Sequence, residues 1–157
     1  MSGAVEVEDA AARTDPGIAY AVARLHQRVF AGITERVAPY GLTTLQFTTL
    51  SVLSRHGAPL SSSQLARRAF MTPQSMSEVI HALENKGLIK RDPHPNHRRT
   101  LPATLTAKGR RVLAACEGEV SEFEDLMLDG FAEEDQAAFL KMVKAAVRNL
   151  GGGFPSD

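Results

Sequence analysis

Gln74, Ser75, Ser77, Glu78 and His81 fall within eight consecutive positions. Most of them both donate and accept hydrogen bonds, and no apolar core requires any of them. Such a set suits recognition better than bond-breaking. Gln74 can pair bidentately with adenine, and Ser75 or Ser77 can serve bases or phosphates. Glu78 either accepts from a cytosine amino group or pairs with a nearby Arg. His81, one turn further on, reaches a phosphate or nothing. A second set lies downstream, where Arg98 and Arg99 sit in a stretch short of acids. They serve either as solubility charges or as contacts to phosphate and to a minor groove, whose negative potential is enhanced where it is narrow and A·T-rich. Arg67, Arg68, Lys86 and Lys90 are weaker candidates for contacts to a nucleic-acid backbone.

The elements that must position these groups are legible around them. Ser61 and Gln64 have capping-box spacing, which opens a short helix with Leu65, Ala66 and Ala69 on its apolar face. Phe70 and Met71 make a turn. Thr72 is then an N-cap and Pro73 a first helical residue, where no N–H is missed. The stripe Met76, Val79, Ile80, Leu83 buries one face of this second helix, leaving the polar set on the other. Gly87 stops it. Residues 88–91 and 101–105 read as strands flanking a loop at 92–100. A capped helix pair followed by a hairpin with a cationic tip is a winged helix-turn-helix, whose second helix lies in a major groove while the wing tracks the neighbouring backbone or minor groove. Thr72 joins the candidate contact residues as the start of that helix.

The segments GLTTLQFTTLSVLSRHG, LSSSQLARRAFMTPQSMSEVIHALENKGLIKR and NHRRTLPATLTAKG resemble the MarR family of bacterial transcription regulators. The similarity in layout runs over about residues 18–150. The family's wing usually carries an Asp-x-Arg pair; here Arg99 keeps the Arg place and His97 replaces the Asp that would brace it. The resemblance implies a homodimer joined through its terminal helices, with two reader helices meeting two half-sites of a pseudo-palindromic operator in double-stranded DNA. It also implies a repressor whose affinity falls when a small-molecule effector binds between the dimer helices and the reader. That pocket would be lined from 18–37, 45–53 and 112–120, with His26, Tyr40 and Phe47 as the polar or aromatic groups able to face it.

The rest of the chain fits this plan. A helix from Ile18 carries Val22, Leu25, Val29 and Ile33 and ends by Pro39. Thr43 and Gln46 form a second capping box, opening a helix through Phe47, Leu50 and Leu53 that stops at Gly57. Ala58, Pro59 and Leu60 are an extended link where winged folds often place a small strand. Thr106 caps a long helix with Val112, Leu113, Cys116, Val120, Phe123 and Met127 on one stripe, broken at Gly130. A last helix starts with Glu133, Glu134 and Asp135, where the macrodipole favours acids, and carries Leu140, Val143, Val147 and Leu150. The terminal helices hold more apolar stripe than the reader can cover, and a second copy is the natural cover; the alternative is a bundle closing within one chain. The expected fold is mainly α with a small β-wing: a winged helix-turn-helix over 42–106 and dimerisation helices over 17–38 and 107–150, together one domain over 17–150. The Ala-rich, acidic segment 1–16 reads as a disordered tail and 151–157 as a flexible one.

Net charge is zero over 157 residues, yet its distribution is uneven. Residues 86–111 hold eight Lys/Arg against Asp92 alone, whereas 112–135 hold nine Asp/Glu and no Lys/Arg. The basic end coincides with the wing. No run of eighteen apolar residues suggests a membrane span and no signal pattern opens the chain, so a cytoplasmic location is expected. One cysteine excludes an internal disulfide, and Cys116 reads as a buried, weakly reactive thiol. Asp92, His94 and His97 suggest a metal at first sight, but Pro93 and Pro95 hold the loop extended and zinc wants about four ligands; the loop reads as polar donors instead. With no phosphate loop, nucleophile elbow or metal dyad, neither an enzyme nor a cofactor is expected. The remaining rival is a winged module that binds protein without touching DNA.

Overall fold

The computed structural model describes residues 17–93 and 101–153. The wing tip with His94, His97, Arg98 and Arg99 lies outside the described residues, as do the expected N-terminal tail at 1–16 and the last residues of the chain.

Helix α1 (Ile18–Val37) leads through a short 3-10 turn at Ala38–Tyr40 into α2 (Thr44–His56). Helices α3 (Ser62–Arg68) and α4 (Pro73–Asn85) follow, then strands β1 (Ile89–Arg91) and β2 (Ala103–Leu105), then α5 (Ala107–Met127) and α6 (Glu133–Asn149). Both expected capping boxes are present: Thr43 and Ser61 each accept from the backbone of Gln46 and Gln64, whose side chains return the bond. The hydroxyls of Thr72 and Thr106 cap α4 and α5 by accepting from Ser75 and Gly109.

Helices α3 and α4 end in one motif. After α4, the Gly87 amide donates to the Glu84 carbonyl and the Leu88 amide to the Leu83 carbonyl, with Gly87 left-handed at φ 68. After α3, the amides of Phe70 and Met71 donate to the carbonyls of Arg67 and Ala66 in the same pattern, and the left-handed residue is Phe70 at φ 53. A Cβ in that region costs roughly 1–2 kcal/mol. The glycine rule therefore predicts the end of α4 and not that of α3.

The core is the reader. Leu50, Leu53, Leu60, Leu65, Met76, Ile80, Leu83, Ile89 and Ala103 are buried together, joined from the long helices by Val37, Leu113, Cys116 and Val120. The strands are antiparallel, Ile89 opposite Leu105 and Arg91 opposite Ala103, and are shorter than the sequence suggests because Leu101 and Pro102 stay outside the ladder. The link before α3 adds the expected third strand as one bridge, in which Leu60 and Ala103 exchange both backbone bonds.

Two glycines permit the closest approaches between helices and their surroundings. A Cβ on Gly32 of α1 would lie 2.4 Å from the Phe123 ring of α5, and one on Gly109 would lie 2.0 Å from the Leu88 carbonyl oxygen. Within the chain α1 packs on α5 and, less extensively, on α2, whereas α6 buries no residue. Ile18 of α1 is 85% exposed and Leu140 and Met142 of α6 are 54% and 63% exposed, so the surplus apolar surface sits on the terminal helices.

Gly109→Ala should destabilise the fold by about 2 kcal/mol or more, since its new methyl meets backbone rather than a side chain that can swing away. Gly118→Ala, in the same helix with open space around it, should be neutral or stabilising by up to about 1 kcal/mol. Urea denaturation of both variants measures the contrast.

Candidate nucleic-acid interface

Helix α4 buries Met76, Val79, Ile80 and Leu83, as its stripe predicts, and presents Gln74, Ser77, Glu78 and His81 to solvent. Ser75 is half-buried. Its amide donates to the Thr72 hydroxyl at 3.1 Å, and that hydroxyl donates to Ser75 Oγ at 2.9 Å. Thr72 and Ser75 thus build the helix start, and Gln74 stands beside it with its amide outward. The face is polar, convex and held on a buried stripe, a form that fits a groove.

The wing root is tied to this helix by a pair that the periodicity does not reveal. Glu84, in the last turn of α4, accepts from Nε and Nη2 of Arg91 on β1, the former at 3.1 Å. The bond from Arg91 holds the Glu84 carboxyl below its ordinary range, outweighing the opposing effect of desolvation, and raises the Arg91 guanidinium. The arginine brace on α4 therefore belongs to Glu84 and not, among the described residues, to Glu78.

Lys90 and Lys86, among the weaker cationic candidates, bond to groups of their own chain. Lys90 pairs with Asp92 at 2.8 Å. Lys86, though exposed, reaches across the chain: its ammonium donates to the Gly41 carbonyl and, at 2.8 Å, to Gln46 Oε1. Arg67 is exposed at the end of α3.

His26, Tyr40 and Phe47 occupy different environments. Phe47 is buried in the core, while His26 is exposed on α1 with its ring 6.2 Å from that of Phe30. The Tyr40 hydroxyl donates to Glu119 of α5 at 3.3 Å. Its pKa is raised, first by desolvation and then by the Glu119 carboxylate. A cavity of about 330 Å³ opens elsewhere, between the end of α2 (Leu53, Ser54), the link (Ala58, Pro59), Thr104 and Leu105 of β2, and Arg110 of α5. It includes none of those three residues. Cys116 is buried in the stripe of α5, and burial, with Glu117 and Glu119 adding, pushes its thiol up to about 11, which keeps it protonated and unreactive near neutrality. Among the described residues no group of three His, Cys, Asp or Glu is placed to hold a metal ion, and no helix is long and apolar enough to cross a membrane.

The MarR family sequence pattern matches residues 40–100, the whole reader up to the wing tip. The HTH-type transcriptional repressor Rv2887 of Mycobacterium tuberculosis is 33% identical over 130 residues, covering 83% of this chain and 93% of that protein. The chain belongs to the MarR family of transcription regulators. Among solved structures of this family, the transcriptional repressor CouR bound to a 23-mer DNA duplex matches with a TM-score of 0.76 at 29% identity, covering 83% of this chain and 92% of that one. Rv2887 in complex with p-aminosalicylic acid matches with a TM-score of 0.68 at 32% identity, covering 83% and 98%. The winged helix-turn-helix expected from the capped helix pair and its hairpin is the fold observed.

Because Glu84 is depressed in the folded protein, its contribution is present above the ordinary carboxylate pKa and is lost as pH falls through the folded value. Both side chains are about one-third exposed, so the effect should stay below about 1 kcal/mol. Urea midpoints measured from pH 6 down to pH 3 should fall less steeply for Glu84→Gln than for the natural chain.

Proposed function

We propose that this MarR-family chain is a sequence-specific DNA-binding repressor that acts as a homodimer and releases its operator when a small molecule binds. The observation that carries this reading is the exposed polar face of α4, capped at Thr72, backed by a fully buried stripe and braced to the wing root through Glu84 and Arg91. Similar repressors support it, one of them bound to a DNA duplex and one to p-aminosalicylic acid. Gln74, Ser77 and Glu78 face base edges, with Thr72 and Ser75 at the helix start beside phosphate and His81 toward the backbone; Arg98 and Arg99 of the wing reach phosphates and the minor groove.

Dimerisation is supported by the exposed apolar positions of α1 and α6, since α6 buries nothing within its own chain. The covering occupant is a second copy, which also supplies the second reader helix for a two-fold operator. The effector site is the region between α1, α2 and α5, near Tyr40 and Glu119, with His26 and Phe47 as further candidates. A ligand that breaks the Tyr40–Glu119 bond would act at the junction of reader and dimer helices.

Light scattering at micromolar concentration should give twice the chain mass; a monomer with both ends intact would overturn the dimer. Gln74→Ala should weaken binding to a duplex selected by the natural protein from a randomised pool, by about 1–3 kcal/mol, and relax preference at one base pair per half-site. Equal losses on selected and random duplexes would show that Gln74 reads no base. Arg99→Ala should cut affinity for both duplexes and flatten the salt dependence, by about 0.9 in slope for each phosphate that the protein no longer neutralises. Superimposable titrations of natural and Arg99→Ala protein at two salt concentrations would show that the wing stays off the DNA, as the protein-binding alternative requires.

A further inference from the structure

Lys86 belongs by sequence to the basic stretch at 86–111 and is one of its candidates for a contact to phosphate. Its geometry says otherwise. It is the C-cap of α4, and its ammonium crosses to the start of α2, donating to the Gly41 carbonyl and to Gln46 Oε1. Gln46 is buried, and its Oε1 also accepts from the Thr43 amide, so the acceptor is fixed by the capping box of α2. Gly41 is left-handed at φ 70 and directly follows Tyr40, whose hydroxyl reaches Glu119 of α5. The corner between α1 and α2 therefore touches α5 through Tyr40 and α4 through Lys86.

We propose that Lys86 is a positioning residue for DNA reading: it ties the end of α4 to the α1–α2 corner, makes no phosphate contact, and carries displacements of that corner into the reader helix. This deepens the repressor reading and rests on it. Two acceptors fix where the ammonium sits, and a charged donor makes both bonds stronger than neutral ones. Base reading tolerates only about half an ångström of misplacement, so a loosened helix end costs discrimination before it costs general attraction to DNA.

The test titrates the full chain with two duplexes of equal length, one selected by the natural protein from a randomised pool and one of random sequence, across a series of salt concentrations. Lys86→Met should weaken binding to the selected duplex about fivefold or more, leave the random duplex nearly unchanged, and keep the salt slope of the natural protein. Lys86→Arg, which retains donors on a long stem, should recover most of the loss. Gln46→Met, altering a buried group beyond the reach of DNA, should lower the same ratio, and the double variant should lose little more than the weaker single one. Lys86→Gln repeats the measurement should Lys86→Met melt early by circular dichroism. The proposal is overturned if Lys86→Met weakens both duplexes alike and lowers the slope by about 0.9, the mark of a phosphate contact. It is equally overturned if affinity and discrimination do not change. A natural protein that selects no duplex at all overturns the repressor reading itself, and this role with it.

Discussion

A helix ends with carbonyls that its own backbone cannot satisfy, and the way α4 resolves this fixes the rest of the molecule. The turn that follows it presents three consecutive carbonyls, and all are taken by the first turn of α5: Lys108 donates to Lys86, Thr106 Oγ1 to Gly87, and the Thr106 amide to Leu88. Gly109 lets the two backbones touch. The reader helix is thus joined to the long helix by backbone acceptors, whose positions no rotamer can adjust. Thr106 holds both sides of the joint, since the same hydroxyl caps α5.

Around this joint the chain divides into a packed half and an open half. The reader buries its apolar stripes on itself, with Leu60 and Ala103 stitching the wing root to the link before α3. The terminal helices leave much of theirs uncovered. Phe123 shows the division within one helix: its ring fills the space over Gly32, and the Arg36 guanidinium lies 4.4 Å above the ring centroid, while Leu126 three residues on is exposed. The acidic stretch at 112–135 belongs to this open half and follows the basic stretch at 86–111 directly in the chain.

The sequence discloses most of the fold because the features that specify it are local. Caps at Thr43, Ser61, Thr72 and Thr106, stripes of period 3.6, and stops at Gly57 and Gly87 involve residues within a turn or two of one another, and each stands where the spacing places it. The candidate site is less legible. Its polar face on α4 follows from what the buried stripe leaves over, but the Glu84–Arg91 brace and the reach of Lys86 to Gln46 join residues whose proximity no periodicity records. Long cationic side chains look alike in a sequence whether they point at a phosphate or at a carbonyl of their own chain. Phe70 escapes for the opposite reason: the hydrogen bonds of the α3 terminus impose a left-handed residue where the composition shows no glycine.

The joint also constrains the length of α5. Gly109 meets the reader and Phe123 meets α1, and these two positions stand about four turns apart, nearly in line along one face. Inserting one residue between them would turn the far half of the helix by about 100° and swing Phe123 away from Gly32. Insertions and deletions here are therefore tolerated only in near-whole turns, three or four residues at a time and best as seven. The spacing between these contacts is a ruler: substitutions elsewhere on α5 leave it intact, whereas a change of length does not.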